Sequence, residues 1–451
     1  LGRHTRKIAT PFTPEDGVTT ADRLRIRRGT IHSFVIQGIS IALVFASNWW
    51  LVRSTDTRAY GVYVHVFNWV SILGVLVMGG RDDLVLALLP KYLAAGEGSR
   101  VRRLVGAANG WVFGATLLIG GAFIGLISLV PLRSLTEHRD LFLIAIAAVY
   151  FSATLSLNQM ILQALNHVRQ SQIVEKIARP LLLIAGTALF RLSAMQLHAQ
   201  ALVGLGTAVS AGCAVLIVGL SVRNLRLHTS PSGSAAPPER HGTKTTWFFL
   251  VSLFNLLSTK VTMLLLPLFA GEGDVGIFNI AYRFADLLIF PFFLMHSVLP
   301  QLFARHTPEE AAYTRSLFNE STRLMTLLSL PLLLVNILAG RFLLGLFGPA
   351  FVAGYPALVL VSFAQFLFSL FGPANTILMT QGRERYSAIG MGVYVLALLI
   401  GSRLLLPAAG ITGGALAILA SSLLYNLLLN AWVYRIYGIC SPFLTFWVKR
   451  R

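Results

Sequence analysis

An all-α, polytopic membrane protein is the fold class this sequence predicts, and three observations predict it. Of 451 residues, 55% are apolar and only 12% are charged, with a mean hydropathy of +0.70. A soluble domain of this length needs a far more polar exterior. The apolar residues also fall into runs of about 20, the length a helix needs to cross hydrocarbon with its backbone satisfied. These runs are too long for β-barrel strands and do not alternate as such strands must.

Twelve spans are predicted, at 30–52, 60–80, 104–129, 141–165, 173–190, 200–221, 246–269, 276–303, 322–340, 354–379, 387–407 and 411–434. Basic residues orient them. With the N-terminus inside, 28 Lys and Arg fall on that side and 7 on the other, while Lys260 and Arg283 lie within spans. Such a bias predicts cytoplasmic termini and an even number of spans. The net charge of +19 is therefore read as topology, not as a nucleic-acid footprint. It is also compatible with attraction to anionic lipid headgroups or an anionic substrate. The first 29 residues are polar and basic, which disfavours a cleavable signal peptide. Cys213 and Cys440 lack any CxxC spacing, so neither a disulfide framework nor a zinc site is expected.

The main polar interruption, 222–245, contains SPSGSAAPPERHGTK and reads as a flexible cytoplasmic linker. It divides the chain into a basic tail (1–29), an N-terminal six-helix bundle (30–221), a C-terminal six-helix bundle (246–437) and a cytoplasmic tail (438–451). The halves echo each other. Gly61-Val62-Tyr63 parallels Gly276-Ile277-Phe278, and Leu89-Pro90-Lys91-Tyr92-Leu93-Ala94 parallels Leu299-Pro300-Gln301-Leu302-Phe303-Ala304. The stretch from Ile161 to Arg169 parallels that from Ile377 to Arg385. Parallel repeats of this kind are a recurrent transporter arrangement.

Polar groups within spans are expensive and mark candidate sites. Lys260 lies in span seven. Arg283 and Asp286 stand three apart on span eight, close enough to pair locally. Two readings stand side by side: a cavity in which Lys260 and Arg283 receive an anionic group, with Asp286 orienting Arg283 or coupling an ion, and a structural ion pair between spans seven and eight. Arg81, with Asp82 and Asp83, closes span two, where it can join an anion site or simply snorkel and cap the next helix. Asn158, Gln159, Gln365 and Asn375 offer neutral donors and acceptors for a sugar, or for helix–helix contacts. Pro90, Pro180, Pro291, Pro300, Pro331 and Pro373 supply bends. The stretch 83–103 reads equally as a continuation of span two or as a surface helix.

No Walker A loop, HExxH, GxSxG or dinucleotide fingerprint occurs, so enzyme classes are disfavoured and no cofactor is expected.

The segment Val275-Gly276-Ile277-Phe278-Asn279-Ile280-Ala281-Tyr282-Arg283-Phe284-Ala285-Asp286-Leu287-Leu288, followed by Pro291 and Val298-Leu299-Pro300, resembles the polysaccharide biosynthesis/export branch of the multidrug/oligosaccharidyl-lipid/polysaccharide exporter superfamily. Gln381-Gly382-Arg383-Glu384-Arg385 and Leu89-Pro90 carry the same resemblance more weakly. It implies a V-shaped pair of six-helix bundles, similar to the multidrug exporters, around a central cavity. It further implies a flippase for polyprenyl-diphosphate-linked O-antigen or exopolysaccharide units in the bacterial inner membrane. Its partners would be membrane lipids, a polysaccharide polymerase and glycosyltransferases, without nucleic acid. On that basis Lys260, Arg283 and Arg81 would face the diphosphate and the amides the glycan, with H+ or Na+ as candidate coupling ions. Rival readings are a multidrug/cation antiporter of the same superfamily and a non-transporting scaffold or assembly factor.

Overall fold

The computed structural model describes residues 38–129, 139–165, 167–192, 198–228, 242–296, 299, 311–381, 383–439 and 441–443. The predicted basic tail (1–29), Pro300 and most of the C-terminal tail lie outside the described residues. Every regular element among the described residues is helical. They are α1 (38–54), α2 (Thr57–Met78), α3 (Arg81–Ala94), α4 (Gly98–Leu129), α5 (Arg139–Ala164), α6 (Val168–Ile173), α7 (Arg179–Leu192), α8 (Ala199–His228) and α9 (Gly242–Leu265). There follow α10 (Glu272–Asp286), α11 (Phe290–His296), α12 (Ala311–Leu338), α13 (Gly340–Gly345), α14 (Tyr355–Phe371), α15 (Ala374–Thr380) and α16 (Glu384–Tyr437). Residues 222–228 and 242–245 of the expected linker are helical, as parts of α8 and α9.

The twelve-span, two-bundle expectation is corrected. Among the described residues eight helices are long and apolar enough to cross a membrane. Hydropathy marks apolar runs but not the breaks and joins within them. The expected span at 173–190 changes helix type: a π-helical turn, Val174–Ala178, runs without a gap into the 14-residue α7. Pro180 has no N–H to give the Lys176 carbonyl, which accounts for lost α geometry there. Of the span expected at 246–269, only Ser252–Leu268 qualifies, as a shorter apolar helix. The last two expected spans are the two helical legs of α16. Its path breaks at Ala409 (φ −139°) and Gly410 (φ 51°). The two legs fold back on each other, with Tyr394 against Tyr425 at 5.7 Å and Tyr386 against Trp432 at 5.2 Å between ring centroids.

The cores do not divide cleanly at the midpoint of the chain either. One apolar core joins Val62, Val85, Val112, Phe142 and Leu157 of α2 to α5. The largest joins Leu51, Tyr60 and Val64 of the first half to Val261, Phe278, Phe351, Ala364 and Leu429 of the second. The crossing of α2 with α10 makes that junction. Two motifs noted as echoes meet here: a Cβ on Gly61 would collide with the Glu272 carbonyl, and one on Gly276 would lie 2.8 Å from the Tyr60 ring. Only glycine permits so close an approach of backbones.

The stretch 83–103 belongs to two helices. Gly79 and Gly80, at φ 54° and 75°, end α2 and turn the chain into α3. Asp82 and Asp83 sit in the first turn of α3, where carboxylates favour the helix dipole. Burial and the neighbouring Asp83 push the Asp82 carboxyl above the usual range.

Candidate functional site: a cationic cavity

Ser40, Ser47 and Asn48 of α1, Tyr63, Asn68 and Ser71 of α2, Glu175, Lys176, Arg179, Pro180 and Leu183, Lys260 of α9, and Asn279 and Arg283 of α10 line a cavity of about 360 Å³. A rim of contacts ties the first half of the chain to the second beside it. Asn279 donates to the Tyr60 hydroxyl at 2.9 Å, which donates to Asn48 at 2.8 Å. Beyond this relay, Trp49 Nε1 and Arg53 Nη2 both donate to the Leu346 carbonyl, at 2.9 and 3.1 Å, and Arg58 pairs with Glu272 at 3.1 Å.

Four cations line the cavity, Lys176, Arg179, Lys260 and Arg283, against one carboxylate, Glu175. Lys260 Nζ donates to Asn68 Oδ1 at 2.9 Å, and the Asn68 amide reaches Met263 Sδ one turn on, at 3.7 Å. Among the described residues Arg179 makes one long contact, 3.5 Å, to Ser210. Arg283 Nε is buried with no hydrogen-bond partner among the described residues. Glu175 accepts from Gln159 at 2.6 Å. A positive cavity whose one carboxylate is already engaged suits an anion, above all a phosphate with several acceptor oxygens.

Of the residues singled out from sequence, Lys260 and Arg283 meet in the cavity. Asp286 does not pair with Arg283; its Oδ1 accepts from Gln365 at 3.2 Å. Gln159 stands behind Glu175, outside the cavity lining. Arg81 lies elsewhere, stacked 3.4 Å over Trp111. Asn158 bridges Asn109 and the Thr154 carbonyl, and Asn375 accepts from Ser387, so both serve helix contacts. Glu175, Lys176 and Arg179 were missed as site residues. Their signal was present, three charges at the start of the expected span 173–190, but they read as a basic flank. Among the described residues no group of three His, Cys, Asp or Glu side chains is placed to hold a metal ion.

A polytopic helical membrane protein with a polar cavity between its two halves is what this fold and site define. No protein-family model matches the chain. Over 134 residues, 29% of this chain, it is 28% identical to the teichuronic acid biosynthesis protein TuaB of Bacillus subtilis, and that match spans 27% of TuaB. Among solved structures the fold is similar to lipid II flippase MurJ in an inward closed conformation, with a TM-score of 0.68, 12% identity and coverage of 89% of this chain and 87% of MurJ. It is similar also to an inward-facing multidrug resistance MATE family transporter of the MOP superfamily (TM-score 0.64, 15% identity, 88% of this chain and 94% of that one). A MOP superfamily transporter from Pyrococcus furiosus, described as having a binding pocket of reverse polarity, gives a TM-score of 0.60 at 14% identity, with coverage of 90% of this chain and 93% of that one. The chain has the fold of MOP-superfamily transporters.

Proposed function

We propose that this chain is a transporter that flips a polyprenyl-diphosphate-linked glycan across the bacterial inner membrane, with both termini cytoplasmic. The observation that carries the reading is the cavity's four cations against one engaged carboxylate. A diphosphate entering it replaces water with charge-assisted hydrogen bonds from Lys176, Arg179, Lys260 and Arg283. The prenyl tail stays in lipid and the glycan meets the serine and asparagine groups of α1 and α2. No bond is made or broken; the cavity loads from one side, and the rim separates to release to the other, a population shift between two states. Partial identity to a teichuronic acid biosynthesis protein and the fold shared with a lipid II flippase support this reading over others. Drug–cation antiport is disfavoured, because a cationic drug needs the opposite polarity of cavity.

Translocation of a fluorescent undecaprenyl-diphosphate saccharide in proteoliposomes tests the proposal. Arg283→Ala should abolish flipping while the protein still elutes as a folded species. Undiminished flux would sink the anion-cavity mechanism, and drug–cation exchange without glycolipid movement would favour the antiporter.

A further inference from the structure

Both carboxylates nearest the cavity cations stand at helical spacing from an arginine of their own helix. Glu175 precedes Arg179 by four residues, and Asp286 follows Arg283 by three. Opposite charges so spaced ordinarily meet on a helix surface. Neither pair forms. Glu175 Oε2 accepts from Gln159 Nε2 of α5 at 2.6 Å, and Asp286 Oδ1 accepts from Gln365 Nε2 of α14 at 3.2 Å. The two glutamines are only 8% and 5% exposed, so packing fixes each amide where it is. The same device thus occurs once in each half of the chain, on different helices.

We infer that Gln159 and Gln365 determine the charge selectivity of the cavity: they hold Glu175 and Asp286 off Arg179 and Arg283, leaving both guanidinium groups to an entering anion. The inference rests on the anion-transport reading above. A guanidinium joined to a carboxylate loses both its net charge and its planar fork of donors. A glutamine amide satisfies a carboxylate lone pair while adding no charge, so the carboxylate is engaged without a cation being used. A lysine in the same place would engage the carboxylate equally but change the charge of the site. The glutamines therefore act on the transported group through Arg179 and Arg283 and need not touch it.

Binding of inorganic pyrophosphate to the purified full chain, measured by calorimetry, tests this. Gln365→Leu and Gln159→Leu should each weaken binding about tenfold, the loss of one charge-assisted contact. Adding Asp286→Asn to the first, or Glu175→Gln to the second, should restore it, since no carboxylate then remains to occupy the arginine. Doubles that stay weak would mean the amides contact the anion directly, and single variants that bind like the parent would mean they do nothing for it. Either result overturns the inference. Because a buried Gln→Leu change can unfold the chain, Asp286→Asn and Glu175→Gln alone provide a second reading: each should bind pyrophosphate more tightly, and weaker binding would again overturn it. A parent protein that takes up no pyrophosphate removes the anion-cavity reading itself, and this inference with it. Binding that is lost in Arg283→Ala but unmoved by either glutamine change removes the inference alone.

Discussion

Lys260 illustrates how one side chain can be both stabilised and available. Its ammonium lies within an apolar helix, and among the described residues Asn68 Oδ1 is its one hydrogen-bond partner. Asn68 is itself 3% exposed, so Asn68→Leu removes a buried bond to a charged group and should cost about 1.5–3 kcal/mol. The same change should tighten pyrophosphate binding, because the ammonium then has no competing acceptor. Thermal unfolding and calorimetry together check the opposite signs; a variant weaker in both would show that Asn68 belongs to the anion's own contacts. Lys260 and Arg283 were legible in sequence because a charge in a long apolar run stands out on solvation cost alone. The roles of Gln159 and Gln365 were not legible. An amide's partner depends on which helix packs beside it, and nothing in the i,i+3 spacing of Arg283 and Asp286 shows that a glutamine 79 residues on will intervene.

The π-helical turn Val174–Ala178 is the element that builds the cavity's charged wall, carrying Glu175 and Lys176 and aiming Arg179. Its cause is local, the missing N–H of Pro180. Pro180→Ala restores that donor and lets α geometry run through, which rotates the residues before it relative to α7. Pyrophosphate affinity should fall about tenfold while thermal stability holds or rises; unchanged affinity would show that the turn does not aim these groups. The same element explains a misreading of the fold. Counting apolar residues finds a span at 173–190, but only proline and backbone geometry reveal the π-helical turn within it. Conversely, Ala409 and Gly410 leave helical geometry, so the expected spans 387–407 and 411–434 are two helical legs folded back on each other. The Gly61 and Gly276 echoes were visible in sequence as a repeat. Their meeting at the α2–α10 crossing is a fact of packing that no periodicity carries.

At the scale of the molecule, the rim and the cavity form one unit: Asn48 and Asn279 line the cavity and also hold Tyr60 beneath the rim. The Arg58–Glu272 pair above them contributes little by itself, because the Arg58 side chain is 73% exposed and water competes for it. Glu272→Gln should therefore shift unfolding by under about 1 kcal/mol. A covalent tie is different. Arg58→Cys with Glu272→Cys, oxidised or bridged by a short thiol crosslinker in proteoliposomes, should stop glycolipid flipping, and reduction should restore it. Flipping that continues with the rim covalently shut would rule out release through this end.

The bond from Trp49 and Arg53 to Leu346 has a consequence for how this protein can diverge. Both donors reach the carbonyl of Leu346, while its side chain plays no part in the contact. Position 346 can therefore change its residue freely so long as α13 keeps its final turn, whereas indole and guanidinium must persist opposite it. Among relatives, the closure would leave a signature on one side only, invisible to any search for co-varying pairs.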